Sequence, residues 1–262
     1  MYTDMRLLPD SARWLAGSAD PAGSDAAMRV FCFAHAGGGS AIFRPWRSLL
    51  GPGVEVCPVV LPGRESRVRE LPYRRMEQLL DPLCQAIEPY LDRPFAFLGH
   101  SLGSIIAFEV ARRFPPAGLV VSGRRAPRLA TARRLFSSLP DGEFLTAIGH
   151  LGGTPPEVLR ETQLIRMMMP ALRADFELNE AYAVLPGPRL GCPLIAYVGI
   201  EDPEVSRAEL LAWQEETTGE FTMRVFRGGH FYLKGDRGDD RSDVTSALRQ
   251  DLARVFGFGA QP

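Results

Sequence analysis

The stretch Gly99-His100-Ser101-Leu102-Gly103 sets a serine between two glycines at G-x-S-x-G spacing. It follows the apolar run "PFAF" and leads into "SIIAFEVARRF", whose apolar residues recur at helical spacing. A serine on such a strand-to-helix turn can act as an exposed nucleophile, the glycines removing Cβ atoms where strand and helix approach. The helix N-terminus beneath it offers free N–H groups and partial positive charge to a developing anion.

A serine hydroxyl is a weak nucleophile and needs a base. The chain holds four histidines. His100 adjoins Ser101, so its side chain is expected to point away from that of Ser101. His35 opens the loop "HAGGGS" and is read as shaping it, while His150 lies in a long helical stretch. His230, in "FRGGHFYL", follows the last strand pattern on a glycine-rich loop and is the base candidate. The base in turn needs an orienting carboxylate. "LIAYVGIEDPEV" offers Asp202 at a strand end, with Glu201 as the alternative. Asp202 precedes Pro203 and also suits a turn or a helix cap. The order Ser101, Asp202, His230 is that of α/β-hydrolases.

A tetrahedral intermediate needs two preorganised hydrogen-bond donors. The expected pair is the N–H of Leu102, next after the serine, and that of Ala36 in "HAGGGS", with Gly37 the next candidate. The glycines at 37–39 let backbone approach a substrate closely. A phosphate-binding loop is the rival reading, but G-K-[ST] is absent.

These residues must be positioned by the elements around them. β-rich runs at 28–35, 54–63, 94–99, 117–123, 192–200 and 221–228 alternate with helical patterns at 76–91, 101–114, 207–218 and 243–256. Strand–helix alternation of this kind predicts an α/β fold with a mostly parallel sheet covered on both faces. In such sheets ligands sit beyond the carboxyl ends of the strands, where His35, Ser101, Asp202 and His230 all fall. Residues 124–190 lack convincing strands. Helix starts at "PDGEF" and "PPEVL" and the stretch "RETQLIRMMMPALRADFELNEAY", broken at Pro170, predict a helical insertion placed as a lid, or else a packed helical subdomain. Residues 1–262 thus read as a single domain, with a core of about 25–123 and 191–258 and the insertion at 124–190.

Composition excludes several classes. The net charge of −1 speaks against nucleic acid or a membrane surface as principal partner, and Lys234 is the only lysine among many arginines. The first 25 residues lack a basic stretch followed by an apolar core, and no apolar run reaches membrane-spanning length. Cys32, Cys57, Cys84 and Cys192 show no C-x-x-C spacing and read as buried free thiols. The expectation is a cytoplasmic monomer without metal or cofactor.

With those residues in place, the chain resembles the type II thioesterases, stand-alone α/β-hydrolases that accompany modular polyketide and nonribosomal peptide synthases. The resemblance covers nearly the whole length. It is carried by "FCFAHAGGGSAIFRPW", "VEVCPVVLPGRESR", "FLGHSLGSIIAFEVARR", "SGRRAP", "LGGTPPEVL", "LRADFELNEAY" and "RGGHFYL". It implies a triad of Ser101, Asp202 and His230, oxyanion donors at Ala36 and Leu102, and a lid at 124–190. It also implies hydrolysis of acyl thioesters from the phosphopantetheine arm of carrier proteins, which would be the partners. The elbow carries leucine where methionine commonly follows the serine, and "VGIEDPEV" is an unusual acid loop, which leaves Glu201 open beside Asp202.

Rival readings are a general carboxylesterase, a medium-chain fatty acyl thioesterase, and a non-catalytic carrier-binding module on the same fold. Met167, Met168 and Met169 could line an acyl pocket or pack a helical core. The arginines of "GRESRVRELPYRR" form either a solvated face or a surface suited to an acidic carrier protein.

Overall fold

The structure, a computed structural model, describes residues 13–17, 25–129, 135–153, 157, 160–234 and 240–254. Six strands form one sheet in the order β2-β1-β3-β4-β5-β6: β1 Met28–Phe33, β2 Val54–Pro58, β3 Phe95–His100, β4 Gly118–Ser122, β5 Leu194–Gly199 and β6 Phe221–Phe226. Every pairing is parallel, as the strand–helix alternation predicts.

Both faces of the inner strands β1, β3, β4 and β5 are buried, which explains why their sequences read as continuous apolar runs, whereas the edge strand β6 is only half-buried. Along β1, Phe31 and Phe33 point into one apolar layer and Met28, Val30 and Cys32 into the other. The first layer is completed by helices α2 (Met76–Ile87) and α3 (Leu102–Arg113). The second is covered by α1 (Trp46–Leu50) and by the C-terminal helix Asp240–Arg254, through Trp46, Val244, Leu248 and Leu252. In α2 the residues at helical spacing, Leu79, Leu80, Leu83 and Ile87, are all fully buried.

The insertion contributes α4 (Asp141–Leu151) and α5 (Thr162–Ala181), packed on each other through Phe144, Ile148, Leu172 and Phe176. The break expected at Pro170 does not occur: α5 runs through it. Proline removes one N–H bond and crowds the carbonyl four residues back. Pro170 is exposed, so the freed carbonyl of Arg166 lies on the solvent side, where water can satisfy it. The helix start at "PPEVL" falls outside the described residues, apart from Glu157.

Residues 207–218 form less helix than their pattern suggests. Helix α6 covers Arg207–Leu211, opened by a capping box between Ser206 and Glu209, and then tightens into a 3₁₀ turn, Ala212–Glu216. The C-terminal helix is α7, and it starts at Asp240, ahead of the expected 243.

β1 lies between β2 and β3, so the chain leaves β1 toward one side and β3 toward the other. The crevice at such a switch point is where open parallel sheets bind ligands. The loop after β1 is "HAGGGS", and the turn after β3 is Ser101.

Candidate active site

Ser101 has φ 53° and ψ −115°, a conformation that L residues avoid. Among the described non-glycine residues, Glu65 alone shares a positive φ. Strain of this kind costs on the order of 1–3 kcal/mol and persists where the surroundings over-determine it. Here they do. The Ser101 N–H donates to Ser122 O (2.8 Å), and the buried Ser104 hydroxyl donates to Gly99 O (2.8 Å) while accepting from the Ser122 N–H (3.0 Å). A Cβ on Gly99 would drive into the Gly103 backbone, and one on Gly103 into the Phe33 carbonyl. The second clash is with β1, a neighbour that the motif by itself does not identify.

Asp202 and His230, the acid and base candidates, converge from the ends of β5 and β6. His230 Nδ1–H donates to Asp202 Oδ2 across 2.9 Å, which leaves Nε2 as the proton acceptor. The Asp202 side chain has 0% exposure, and its other oxygen accepts from the Glu204 N–H at 2.8 Å. The same carboxylate thus meets the imidazole and accepts from the turn at Pro203. Glu201 is exposed and points no oxygen at His230. The Ser101 hydroxyl has no hydrogen bond to His230 among the described residues, a contact that in hydrolases often tightens only with substrate.

Ser101, His230 and Ala36 line one cavity of about 970 Å³, which Phe136, Ala147 and Phe176 of the insertion also line. His150 also lines it from α4. Met167 is half exposed, while Met168 and Met169 pack on the Phe144–Phe176 cluster, so none of the three lines this cavity and only the last two serve the helical core.

His35 and His100 complete a buried aromatic group around His230. The His100 Nδ1 pairs with Ser122 Oγ at 2.9 Å, and that hydroxyl meets Tyr232 OH at 2.5 Å. Burial, followed by nearby cations including His230, holds both His35 and His100 well below the ordinary histidine range. Near neutral pH both are held uncharged, so neither adds a positive charge to this buried group. The four cysteines are free and buried, as expected, and burial pushes the Cys57 thiol up to about 12.

In the loop after β1, Ala36 faces the cavity and Leu102 opens α3. The Gly37 amide, the second candidate, is already committed: it donates to Asp175 Oδ2 at 2.7 Å. Asp175 is gripped in turn by Arg64, at 2.7 and 2.8 Å. Removing one partner from a buried pair of this kind leaves an uncompensated charge, at a cost of about 3–5 kcal/mol. Sequence reasoning missed Arg64, Asp175 and Ser104. The first two lie inside the segments "VLPGRESR" and "LRADFELNEAY", but 111 residues separate them.

A parallel sheet with a strained serine after β3 and a carboxylate–histidine pair after β5 and β6 defines a serine hydrolase of the α/β-hydrolase class. The Thioesterase domain family matches residues 28–250, and the chain belongs to it. Gramicidin S biosynthesis protein GrsT of Aneurinibacillus migulanus is 38% identical over 236 residues, spanning 88% of this chain and 92% of that protein. Thioesterase PikA5 of Streptomyces venezuelae is 38% identical over 253 residues, 94% of this chain and 89% of that one. The solved structure of the type II thioesterase BorB from the borrelidin biosynthetic cluster matches with a TM-score of 0.82 at 35% identity, covering 92% of this chain and 98% of that chain.

Proposed function

We propose that this thioesterase hydrolyses acyl groups from the phosphopantetheine arm of carrier proteins serving a polyketide or nonribosomal peptide synthase. Ser101 is the nucleophile, His230 the general base and Asp202 its orienting partner. His230 Nε2 takes the Ser101 proton as the oxygen attacks the thioester carbonyl. The amides of Ala36 and Leu102 receive the oxyanion. Collapse expels the pantetheine sulfur, which takes the proton from His230 and leaves as the thiol, so His230 is again a base. Water, activated by His230, then cleaves the acyl-serine and restores the hydroxyl.

The observation that carries this reading is the 2.9 Å pair of His230 and Asp202 on the same cavity as the strained Ser101. The relatives' printed roles in gramicidin and borrelidin biosynthesis support the substrate class. No cofactor enters the reaction, since the pantetheine arm arrives with the substrate. The insertion at 124–190 acts as the lid over the acyl group, and the enzyme works as a cytoplasmic monomer. Among the described residues no helix is long and apolar enough to cross a membrane.

Intact-mass analysis of a panel of acyl-loaded carrier proteins, before and after treatment, tests the proposal. Loss of the acyl mass is expected, with matched oxygen esters turned over far more slowly. Preference for the oxygen esters would transfer the chain to the carboxylesterases.

A further inference from the structure

Asp175 and Arg64 stand apart from nucleophile, base and acid, yet they bracket the loop that bears the Ala36 amide. The Gly38 N–H donates to His35 O at 2.8 Å. That carbonyl shares a planar peptide unit with the Ala36 N–H, so fixing one end aims the other. The following unit is held where the Gly37 N–H meets Asp175 Oδ2 at 2.7 Å, and the Gly38 carbonyl accepts from Arg64 Nη1 at 2.9 Å. Glycines have no conformational preference strong enough to hold such a loop alone. Its geometry is therefore imposed by outside anchors.

Those anchors form one unit. Arg64 Nη1 and Nη2 grip Asp175 Oδ2 and Oδ1 at 2.8 and 2.7 Å, a bidentate pair whose side chains are 10% and 3% exposed. Arg64 neutralises a carboxylate that would otherwise repel a developing oxyanion nearby. Helix α5 also rests directly on the loop: Gly37 has φ +73°, and a Cβ there would collide with the Leu172 side chain.

We infer that Asp175, held by Arg64, is a positioning residue for acyl transfer, which aims the Ala36 amide at the oxyanion only while α5 sits on the loop. The insertion thus contributes to the chemistry as well as covering it. The inference rests on the Ser101 acyl-transfer reading above.

The test uses the full-length enzyme with two probes. A trifluoromethyl ketone analogue of an acyl-pantetheine forms a hemiketal with Ser101 and engages the oxyanion donors, whereas the matching thioether binds without an oxyanion. In Asp175→Asn, kcat and ketone affinity are expected to fall together by roughly 10- to 100-fold, with KM and thioether affinity within about twofold. Arg64→Lys, which keeps the charge and loses the fork, is expected to show the same split and decides the matter if Asp175→Asn does not fold. Tyr182→Phe, which removes the bond from the end of α5 to Glu109, should lower Tm without that split. Equal losses for ketone and thioether, or no loss of either, in the folded variant would overturn the inference. A wild-type enzyme that fails to bind the ketone, or a Ser101→Ala enzyme that keeps turnover, would instead strike the acyl-transfer reading itself.

Discussion

The imidazole of His100 packs against that of His230, with ring centroids 5.1 Å apart. His230 thus has a fully buried histidine as neighbour, and His35 is a second member of the group. Both carry pKa values well below 6.5 in the folded state, from burial first and neighbouring cations second. Above about pH 6.5 folded and unfolded chains are both neutral at these positions, and stability is flat with respect to them. Below it the unfolded chain gains protons that the folded chain refuses, so stability falls as pH drops. Each histidine adds a slope of up to about 1.4 kcal/mol per pH unit. Urea midpoints between pH 7.5 and 5 should fall in the wild type and fall less steeply in His100→Gln.

Loss of Ser101 or of the carboxylate bound to His230 should be far costlier than loss of the adjacent Glu201. Ser101→Ala is expected to lower kcat by at least about 10³-fold, and Asp202→Asn by about 10⁴-fold through the wrong imidazole tautomer. Glu201→Gln should stay within about threefold, since that side chain is exposed. Steady-state kinetics on one acyl-pantetheine thioester compares all three. A larger loss in Glu201→Gln than in Asp202→Asn would reassign the acid.

The elbow tolerates no added methyl. Alanine at position 99 or 103 would meet backbone atoms, which cannot rotate aside as a side chain can. Each substitution should cost at least about 1–3 kcal/mol by the usual scale of overpacking. Thermal unfolding reads this directly, and an unchanged Tm for Gly103→Ala would show that β1 and α3 have room to separate.

Arg74 and Arg75 both reach Glu177 on α5, at 2.5 and 2.9 Å, and hold its carboxyl below the usual carboxylate range. All three are substantially exposed, so the pairs contribute little, about 0–1 kcal/mol. Their positive charge remains available to an acidic carrier surface. Reversing both to glutamate should raise KM for an acylated carrier protein several-fold and leave that for a small thioester unchanged. Equal effects on the two substrates would place carrier recognition elsewhere.

Much of this protein was legible along the chain. Apolar runs marked all six strands and helical spacing marked α2, α3 and α7, because elements that pack into the core must carry apolar residues at the positions they bury. The order of Ser101, Asp202 and His230 was equally readable, since each sits just past a strand that the sheet aligns with the others. Pro170 misled, because a proline rule read locally does not know that the affected carbonyl faces solvent.

What tertiary structure alone decided lies between segments distant in sequence. It set Asp202 rather than Glu201 against His230, closed Gly103 onto the Phe33 carbonyl, and joined Arg64, Asp175 and Gly37 into one anchor. Hydrogen bonds and ion pairs act over a few ångströms and leave no periodic trace in sequence, whereas hydrophobic burial does. The first kind of information exists only once the chain has folded.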